Sequence, residues 1–327
     1  MHSPTAPDPN TYSPNRAAAK LWQSLASEFD ARVAQSKIAG ATVFDFGVQS
    51  RGTIRAGLLM AKACMGGLAD ISLVPCDSGR FAVTEGVYVQ TDRPVLGCLG
   101  CQYAGWPVQA DDYFAMGSGP MRLARGREAV LEEQQLSETQ PDVICGLLES
   151  DKLPTASAIE VLSKECGVPT ERIILGVAPS TSLAGSIQIV ARSAETAMHK
   201  LHELEFPIES VFSATGFAPL PPLAKTGDVI GGIGRTNDAM LYGAEVTLWV
   251  DCEDESITSI LPQIPSSASS DHGKPFREIF AAYDHDFYKV DTALFSPAVV
   301  SLHNARTGHS FSAGQVETSV LRDSFGR

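Results

Sequence analysis

Two oppositely charged side chains, Arg192 and Glu195, stand three residues apart in a segment with helical periodicity. On a continuous helix this spacing brings the two groups within side-chain contact. An exposed ion pair is the common result, and it adds only ~0.3–0.5 kcal/mol to stability. Alanine and glycine crowd the start of the same segment, where a ligand or a second backbone can approach closely. The residues alone leave two interpretations open, a surface ion pair and part of a ligand site.

Four short clusters of glycine, proline and small polar residues offer further candidate binding positions. Such residues form tight turns and also let a backbone approach a ligand, and the sequence does not distinguish the two roles. The clusters lie at residues 116–120, 178–182, 215–222 and 235–238. No dinucleotide-binding loop, Walker loop or serine-hydrolase elbow occurs in the sequence.

The cysteine and histidine spacings favour structural roles over metal binding. Cys98 and Cys101 have the spacing of half a zinc site, but no second pair follows and the run around them is apolar, so two buried thiols are expected. His199 and His202 are three residues apart without a third ligand nearby in sequence. Residues 283–286 read Tyr-Asp-His-Asp, which a polar loop explains as well as a metal site does. We expect no metal.

Composition and charge narrow the class of protein. The chain has 327 residues, 44% of them hydrophobic and 19% charged, which is typical of a globular protein. Acidic residues outnumber basic ones by 38 to 25, so nucleic-acid binding is not expected. No apolar run reaches the ~18 residues that span a bilayer, and the first residues lack a signal-peptide pattern. Together with an odd number of cysteines, seven, this predicts reduced thiols in the cytoplasm.

Hydrophobic periodicity predicts a mixed α/β protein of the α+β type. Helices are expected at residues 16–38, 53–68, 127–136, 155–166, 182–206 and 276–283. Strands are expected at residues 40–47, 71–74, 80–90, 94–99, 143–148, 172–178, 208–215, 244–251, 294–302 and 309–316. In the longest helix, Gln188, Arg192, Glu195 and His199 follow one face beside an apolar stripe.

The chain is expected to form two domains. Residues 1–15, with four prolines, indicate a disordered leader, and the Ser- and Pro-rich residues 262–275 indicate an internal linker. We assign residues 16–100 and 275–327 to a first, discontinuous domain. Residues 101–274 form the second domain, which carries the helix with Arg192 and Glu195.

Three long segments are similar to the methenyltetrahydromethanopterin cyclohydrolase family. They read YFAMGSGPMRLA at 113–124, APSTSLAGSIQIVARSAET at 178–196 and IGRTNDAMLYG at 233–243. Shorter segments at 274–280, 287–291 and 311–314 continue the resemblance, which covers residues 16–316. Because the segments are long and ordered as in the family, the resemblance is specific.

The resemblance implies an enzyme that hydrolyses the methenyl bridge of 5,10-methenyltetrahydromethanopterin, reversibly, to the 5-formyl compound in one-carbon metabolism and formaldehyde oxidation. It implies no metal and no cofactor, because the pterin C1 carrier is itself the substrate. It also implies two α/β domains with the pterin between them and a homo-oligomer, typically a trimer. A tail-modified analogue of the carrier is equally compatible with these residues.

The resemblance places the family's catalytic Arg and Glu on Arg192 and Glu195. It marks the small-residue clusters as substrate-binding, with expected contacts from Tyr103, Gly117, Ser118, Gly119, Pro120, Ser180, Thr181, Ser182, Gln188, Thr215, Gly216, Arg235, Thr236, Asn237 and Asp238. Archaeal relatives carry Lys just before Ala-Gly-Trp, where this chain has Tyr103. The resemblance therefore carries no cation over to that position.

The implied chemistry suits the two charged residues. The methenyl carbon is part of an amidinium cation, so it needs an oriented water and a proton acceptor rather than a Lewis acid. Glu195 is the candidate base, a role that typically contributes about 10²–10⁴ in rate, and Arg192 is expected to hold its carboxylate and lower its pKa. A catalytically silent pterin-binding subunit is the alternative, although such a protein has no reason to retain the pair.

Overall fold

The computed structural model describes residues 12–26 and 33–326. Its strands are β1 (Ala34–Ile38), β2 (Ala41–Asp45), β3 (Asp70–Pro75), β4 (Glu85–Thr91), β5 (Trp106–Ala110), β6 (Tyr113–Ser118), β7 (Ile144–Glu149), β8 (Ile173–Ala178), β9 (Val211–Pro219), β10 (Glu245–Val250), β11 (Val299–Asn304) and β12 (Ser310–Gly314). They form two six-stranded mixed sheets, which confirms the predicted α+β class.

Helices connect and cover these strands. The α-helices are α1 (Pro14–Ala26), α2 (Ile54–Cys64), α3 (Ser78–Phe81), α4 (Met121–Arg125), α5 (Ala129–Glu133), α6 (Ala156–Cys166), α7 (Leu183–Val190), α8 (Ser193–Glu203), α9 (Val229–Gly243), α10 (Asp254–Thr258), α11 (Phe276–Ala282) and α12 (Thr318–Phe325). A π-helix spans Val95–Gln102. Short 3₁₀ turns lie at Thr170–Arg172, Ile208–Ser210, Leu261–Gln263, Ser266–Ala268, Phe287–Lys289 and Thr292–Leu294.

The first sheet, with strand order β1-β2-β8-β7-β6-β5, is parallel at its centre. Every residue of β8 is buried, and its sequence IILGVA supplies the continuous apolar run that a strand covered on both faces requires. Helices α1, α2 and α7 cover one face and α6 covers the other. The chain turns from the carboxyl end of β8 directly into α7, the kind of edge at which α/β sheets bind ligands.

Within the described residues, helices cover one face of the second sheet, with strand order β12-β11-β10-β9-β4-β3, and leave the other largely uncovered. Alternate residues of β10 and β11 are buried, which is the period-two pattern of a half-buried sheet. Helices α8 and α9 pack on the buried face. The other face carries partly exposed Tyr88, Thr215 and Trp249 and borders a groove of about 680 Å³.

Helices α7 and α8 join the two sheets. α7 packs on α2 beside the first sheet, whereas α8 packs on β9, β10 and the π-helix beside the second. The predicted apolar stripe is confirmed, because Ile187, Val190, Ala194 and Leu201 are all fully buried. The residues between the two helices, 191 and 192, therefore lie where the sheets meet.

Several predicted elements are wrong in part. The helix expected at residues 182–206 is two helices. Of the helix expected at 16–38, α1 accounts for residues up to Ala26 and residues 34–38 form β1, while 27–32 lie outside the described residues. Residues 94–99, expected as a strand, belong to the π-helix. The 235–238 cluster, expected as a loop, lies in α9. The expected linker at 262–275 is packed, with Ser266 and Ser269 buried.

The sheets do not follow the predicted domain boundaries. The first sheet takes β2 from the segment 16–100 and β5–β8 from 101–274, and the second sheet also draws on both segments. The last residues of the predicted leader, Pro14 and Asn15, begin α1 and are buried; residues 1–11 lie outside the described part. No described helix is long and apolar enough to cross a membrane.

Candidate active site

The break between α7 and α8 determines where the candidate pair points. Arg192 stands just before α8 with a backbone ψ of 9°, and its amide donates to the carbonyl of Ile189 rather than to that of residue 188. A Cβ atom at Gly216 would lie 2.4 Å from the Ser193 Oγ and 2.8 Å from the Ala194 amide nitrogen. Only glycine allows β9 to pack this closely against the start of α8.

Arg192 is buried, with 8% of its surface exposed, and its partners are neutral. Its Nη2 donates to the Ser118 Oγ at 2.9 Å and, with Nε, to the Gln188 Oε1 at 3.1 and 3.3 Å. Its Nη1 donates to the main-chain carbonyl of Gln102, and Nη2 also lies 3.8 Å from the Cys64 Sγ. These contacts hold the guanidinium, and no carboxylate of residues 12–26 or 33–326 forms an ion pair with it.

Glu195 lies in the first turn of α8 and is 6% exposed. Within the described residues its carboxylate accepts no hydrogen bond and has no cationic nitrogen within 4.0 Å. Burial raises the pKa of Glu195 to about 7, although the charges of Arg192 and Arg122 act in the opposite direction. A carboxyl group with a pKa near neutral and free oxygens is well suited to accept a proton.

The predicted contact between Arg192 and Glu195 is wrong, and so is the exposed surface position. The spacing rule assumes a continuous helix, whereas Arg192 precedes α8 with a non-helical ψ. Its side chain consequently reaches Ser118 on β6 instead of the next helical turn. Both residues nevertheless lie in one buried region, and Arg192 acts on the Glu195 pKa through its charge.

Two unsatisfied polar atoms lie beside this pair. The Gln102 Oε1 and the Ser193 Oγ are among the buried side-chain atoms of the described residues that have no hydrogen-bond partner. The Gln102 Nε2, by contrast, donates to the carbonyl of Ala191 at 3.1 Å. Buried polar atoms are nearly always paired, so the lone Gln102 Oε1 indicates a place where water or a ligand binds, whereas the Ser193 Oγ packs against Gly216 on β9.

Tyr103 lies above the face of α8 that carries Glu195. Its ring stacks on His199 with a centroid distance of 4.5 Å, and His199 follows Glu195 by one helical turn. The Arg122 guanidinium carbon lies 5.0 Å from the same ring centroid. Burial raises the pKa of Tyr103 to about 12 and lowers that of His199 to about 4. Both groups are therefore neutral near pH 7, and the phenol is a donor.

Arg122 is a buried cation beside the Tyr103 ring. Its Nη1 donates to the carbonyls of Leu99 and Gly100 at 2.8 and 3.1 Å, and its Nε donates to both carboxylate oxygens of Glu128 at 2.9 Å. The guanidinium thus binds the end of the π-helix. Cys98 and Cys101 lie in that helix as buried free thiols, as predicted, and burial raises the pKa of both.

Of the cluster at residues 116–120, only Ser118 reaches the pair. Besides its bond to Arg192, its Oγ lies 3.4 Å from the Cys64 Sγ. Gly117 packs against the Trp106 carbonyl, where a Cβ atom would come within 3.0 Å, and Gly119 adopts a φ of +96°. Pro120 begins α4, and its carbonyl accepts from the Asn15 side chain. The three neighbours therefore position Ser118.

Ser180, Thr181 and Ser182 form the turn between β8 and α7. The Ser182 Oγ accepts from the Gly185 amide at 3.0 Å and caps α7, and the Ser180 carbonyl accepts from the Ser186 hydroxyl at 3.0 Å. A Cβ atom at Gly232 would lie 2.7 Å from the Ser180 Oγ, so α9 packs directly on this turn. The turn borders the helix that carries Gln188, and Thr181 is partly exposed.

The remaining predicted residues lie elsewhere. Thr215 and Gly216 face opposite sides of the second sheet, because side chains alternate along a strand, so only Gly216 contacts α8. On α9, Arg235 binds the carbonyls of Pro222 and Leu223. Thr236 and Asn237 donate to carbonyls of their own helix, and Asp238 accepts from the Phe276 amide and the Ser324 hydroxyl.

The structure adds one carboxylate that sequence reasoning missed. Glu149 ends β7, and its Oε2 accepts from the Gln188 Nε2 at 3.5 Å. Burial raises the pKa of Glu149, and the charge of Arg192 opposes that effect. An acidic residue at the carboxyl end of a buried apolar strand is a signal that the sequence contained. No group of three or more potential metal ligands occurs in the described part of the chain.

The chain is similar to known proteins over almost its whole length. The family described as Cyclohydrolase (MCH) matches residues 13–325. The methenyltetrahydromethanopterin cyclohydrolase of Rhodopirellula baltica is 54% identical over 315 residues, which cover 95% of this chain and 94% of that protein. The proteins of the same name from Methylobacillus flagellatus and Methanocaldococcus jannaschii are 42% and 43% identical, each over 88% of this chain and over 86% and 89% of their own lengths.

Proposed function

The chain belongs to the methenyltetrahydromethanopterin cyclohydrolase family, and from that premise we propose that Glu195 is the base and Arg192 the fixed cation of its reaction. The enzyme hydrolyses the methenyl bridge of its pterin substrate. One observation supports the proposal above all others, namely that Glu195 is 6% exposed yet has no ion pair within the described residues. A structural carboxylate at that burial is normally paired or hydrogen-bonded.

The first step is attack of water on the methenyl carbon, which the amidinium charge makes electrophilic. The Glu195 carboxylate takes one proton from the water as the new C–O bond forms. That proton then becomes available to the departing nitrogen as the C–N bond breaks. The hydroxyl proton leaves to solvent as the formyl C=O forms, so the reaction releases one proton overall.

Arg192 contributes through position and charge. Its three nitrogens are held by Ser118, Gln188 and the Gln102 carbonyl, so the cation cannot reach Glu195 and neutralise it in an ion pair. It still lowers the pKa of Glu195 against the effect of burial and so keeps a fraction of the base ionised. A guanidinium fixed beside the reacting carbon also favours negative charge on the oxygen of the adduct.

Tyr103 supplies a neutral donor and a flat wall. Stacking on His199 holds the ring above the helix face that carries Glu195. A pKa of about 12 keeps its hydroxyl protonated, so it donates without adding a positive charge next to a cationic substrate. We assign Tyr103, Ser118, Gln188 and the turn at Ser180–Ser182 to substrate binding. Gly216 serves the site by packing, and no cofactor takes part in the proposed reaction.

A homo-oligomer, a trimer, is also proposed. The uncovered face of the second sheet, with Tyr88, Trp249 and the exposed Phe212, supports this proposal because apolar area on an uncovered sheet favours association. Light scattering on the purified protein measures the mass directly. A single species at the mass of one chain would contradict it.

Loss of the methenyl absorbance band on mixing the purified protein with the methenyl substrate tests the proposed reaction. The rate, corrected for spontaneous hydrolysis, should be unchanged after exhaustive treatment with EDTA or phenanthroline, because the amidinium carbon needs no Lewis acid. The silent pterin-binding subunit predicts binding of the substrate without any loss of the band. Inactivation by chelator with recovery on adding metal would contradict the metal-free step.

A further inference from the structure

We propose that Glu149 recognises the pterin ring by accepting the two adjacent N–H groups of its pyrimidine edge. The inference rests on the proposed function to the extent that Glu195 marks the reacting end of the substrate. It concerns the opposite end, the part of the pterin that distinguishes it from other bicyclic heterocycles.

Glu149 belongs to the same polar network as the reacting pair. Gln188 joins them, since its Oε1 accepts from Arg192 while its Nε2 donates to the Glu149 Oε2. The Nε2 contact is long, at 3.5 Å, and is the one hydrogen bond from a described residue to this carboxylate. No cation of the described residues lies within 4.0 Å of it. One oxygen is therefore free, and the other is weakly bound.

The position of Glu149 suits a ligand contact better than a structural one. It ends a strand whose preceding residues, Ile144–Leu148, are all buried, and it is itself partly exposed. The neighbouring strand β8 runs parallel and ends in the Ser180–Ser182 turn. The carboxyl ends of adjacent parallel strands thus bring the Glu149 carboxylate and that turn to one edge of the sheet.

The chemistry of the two partners is complementary. A pterin presents N3–H and the 2-amino N–H side by side, and a carboxylate presents two acceptor oxygens at a matching spacing. A carboxylate that accepts two donors forms a charge-assisted, planar pair that fixes orientation as well as affinity. Gln188 lies on α7 and Glu195 on α8, on either side of the break at Arg192, so the recognised edge and the reacting carbon would lie at different ends of the site.

The first measurement is steady-state kinetics of Glu149→Gln with the methenyl substrate. The amide is isosteric but turns one acceptor into a donor, so KM should rise about 10- to 100-fold, as expected for a lost hydrogen bond to a charged group. The kcat should stay within about threefold, because the base is untouched. Glu160→Gln, on the exposed face of α6, is the matched control and should leave both constants unchanged.

The second measurement separates ring recognition from a general loss of affinity, and it needs no turnover. Binding of pterin and of lumazine, which carries oxygen in place of the 2-amino group, is followed by quenching of their fluorescence. The wild type should prefer pterin about tenfold or more, and Glu149→Gln should lose that preference. Because the wild-type comparison changes the ligand only, it remains informative if a variant fails to fold.

The outcomes are distinguishable. Equal binding of pterin and lumazine by the wild type, or an unchanged preference in Glu149→Gln, would overturn the inference and leave the role of Glu195 intact. A collapse of kcat in Glu149→Gln together with normal turnover in Glu195→Gln would make Glu149 the base and overturn both assignments. A wild type without hydrolysis, but with a pterin preference that depends on Glu149, would support the inference and remove the proposed reaction.

Discussion

Two buried carboxyl groups of this protein have the same pKa, about 7, and opposite surroundings. Asp238 on α9 accepts from the Phe276 amide at 2.7 Å and from the Ser324 hydroxyl at 2.5 Å, so it ties α9 to the start of α11 and to the end of α12. Glu195 on α8 accepts from no described residue. Burial raises both pKa values, so the perturbed pKa does not identify the site by itself. What distinguishes Glu195 from Asp238 is that its carboxylate oxygens accept no hydrogen bond from a described residue.

The same contrast holds for the arginines of the two regions. Arg235 binds two loop carbonyls at a partly exposed position, which fastens the segment before α9. Arg192 is bound by Ser118, Gln188 and Gln102 at the junction of the two sheets, where unsatisfied polar atoms also lie. The segments 178–196 and 233–243 both resemble the family. The polar groups of the second bind the protein's own fold, whereas the Glu195 carboxylate of the first has no partner among the described residues.

The largest effect is expected from Glu195→Gln. The amide keeps the shape and removes the base, so kcat should fall by about 10²–10⁴ in steady-state assays of methenyl hydrolysis. The stability of this variant should rise, although its activity falls. The raised folded pKa means that the carboxyl stabilises the fold below about pH 4.5 and loses this contribution as the pH rises through about 7.

Glu195→Gln should therefore be more stable than the wild type by about 1–3 kcal/mol at pH 8 and equally stable at pH 4. Thermal unfolding at the two pH values measures this difference. A variant that loses activity and stability together at pH 8 would assign Glu195 to the fold, as for Asp238.

Arg192→Ala should have the next largest effect. Without the neighbouring cation the pKa of Glu195 rises, by about one to three units for an opposite charge nearby, so the ionised fraction at pH 7 falls ~5- to 500-fold and kcat/KM falls with it. Arg192→Lys should recover part of the charge effect but not the planar hydrogen bonding to Ser118 and Gln188. Superimposable pH profiles of kcat/KM for the wild type and both variants would make Arg192 a bystander.

Asp238→Ala should show the smallest kinetic effect and a clear structural one. Unfolding at about pH 3, where this carboxyl is protonated in both the folded and the unfolded chain, avoids the charge term. The variant should lose about 1–3 kcal/mol, because the buried Phe276 amide is left without its acceptor. The kcat and KM should match the wild type. A raised KM with unchanged stability would return Asp238 to the substrate site and erase the contrast with Glu195.

Much of the fold could be predicted from local patterns. The apolar stripe of residues 182–206 and the strands β2, β7 and β8 follow from periodicity alone. The break at Arg192 cannot be predicted from periodicity. The Arg192 side chain binds the main-chain carbonyl of Gln102 in the π-helix and the Ser118 hydroxyl on β6, and both residues are distant in sequence. The sequence of the π-helix has the apolar composition of a strand. Its helical form is accompanied by hydrogen bonds from Arg122 to the carbonyls of Leu99 and Gly100, which the local sequence does not predict.

Glycine misled the prediction of α9. Gly231, Gly232 and Gly234 lower helix propensity, so the segment read as a loop. Position 232 requires glycine because Ser180 packs against it. This contact arises from the tertiary structure and not from the local sequence. Likewise Arg192 and Glu195 could be singled out by type and spacing, but the absence of a bond between them and the free carboxylate of Glu149 required the folded chain.

The pH dependence of kcat/KM tests the central claim, that the free carboxylate of Glu195 accepts the proton, most directly. The base must be ionised, and its pKa is about 7 in the free enzyme, so the wild-type rate should fall tenfold per pH unit below about pH 7. The residual rate of Glu195→Gln, corrected for spontaneous hydrolysis, should lack this decline. A decline of the same midpoint and slope in Glu195→Gln would show that another group is the base.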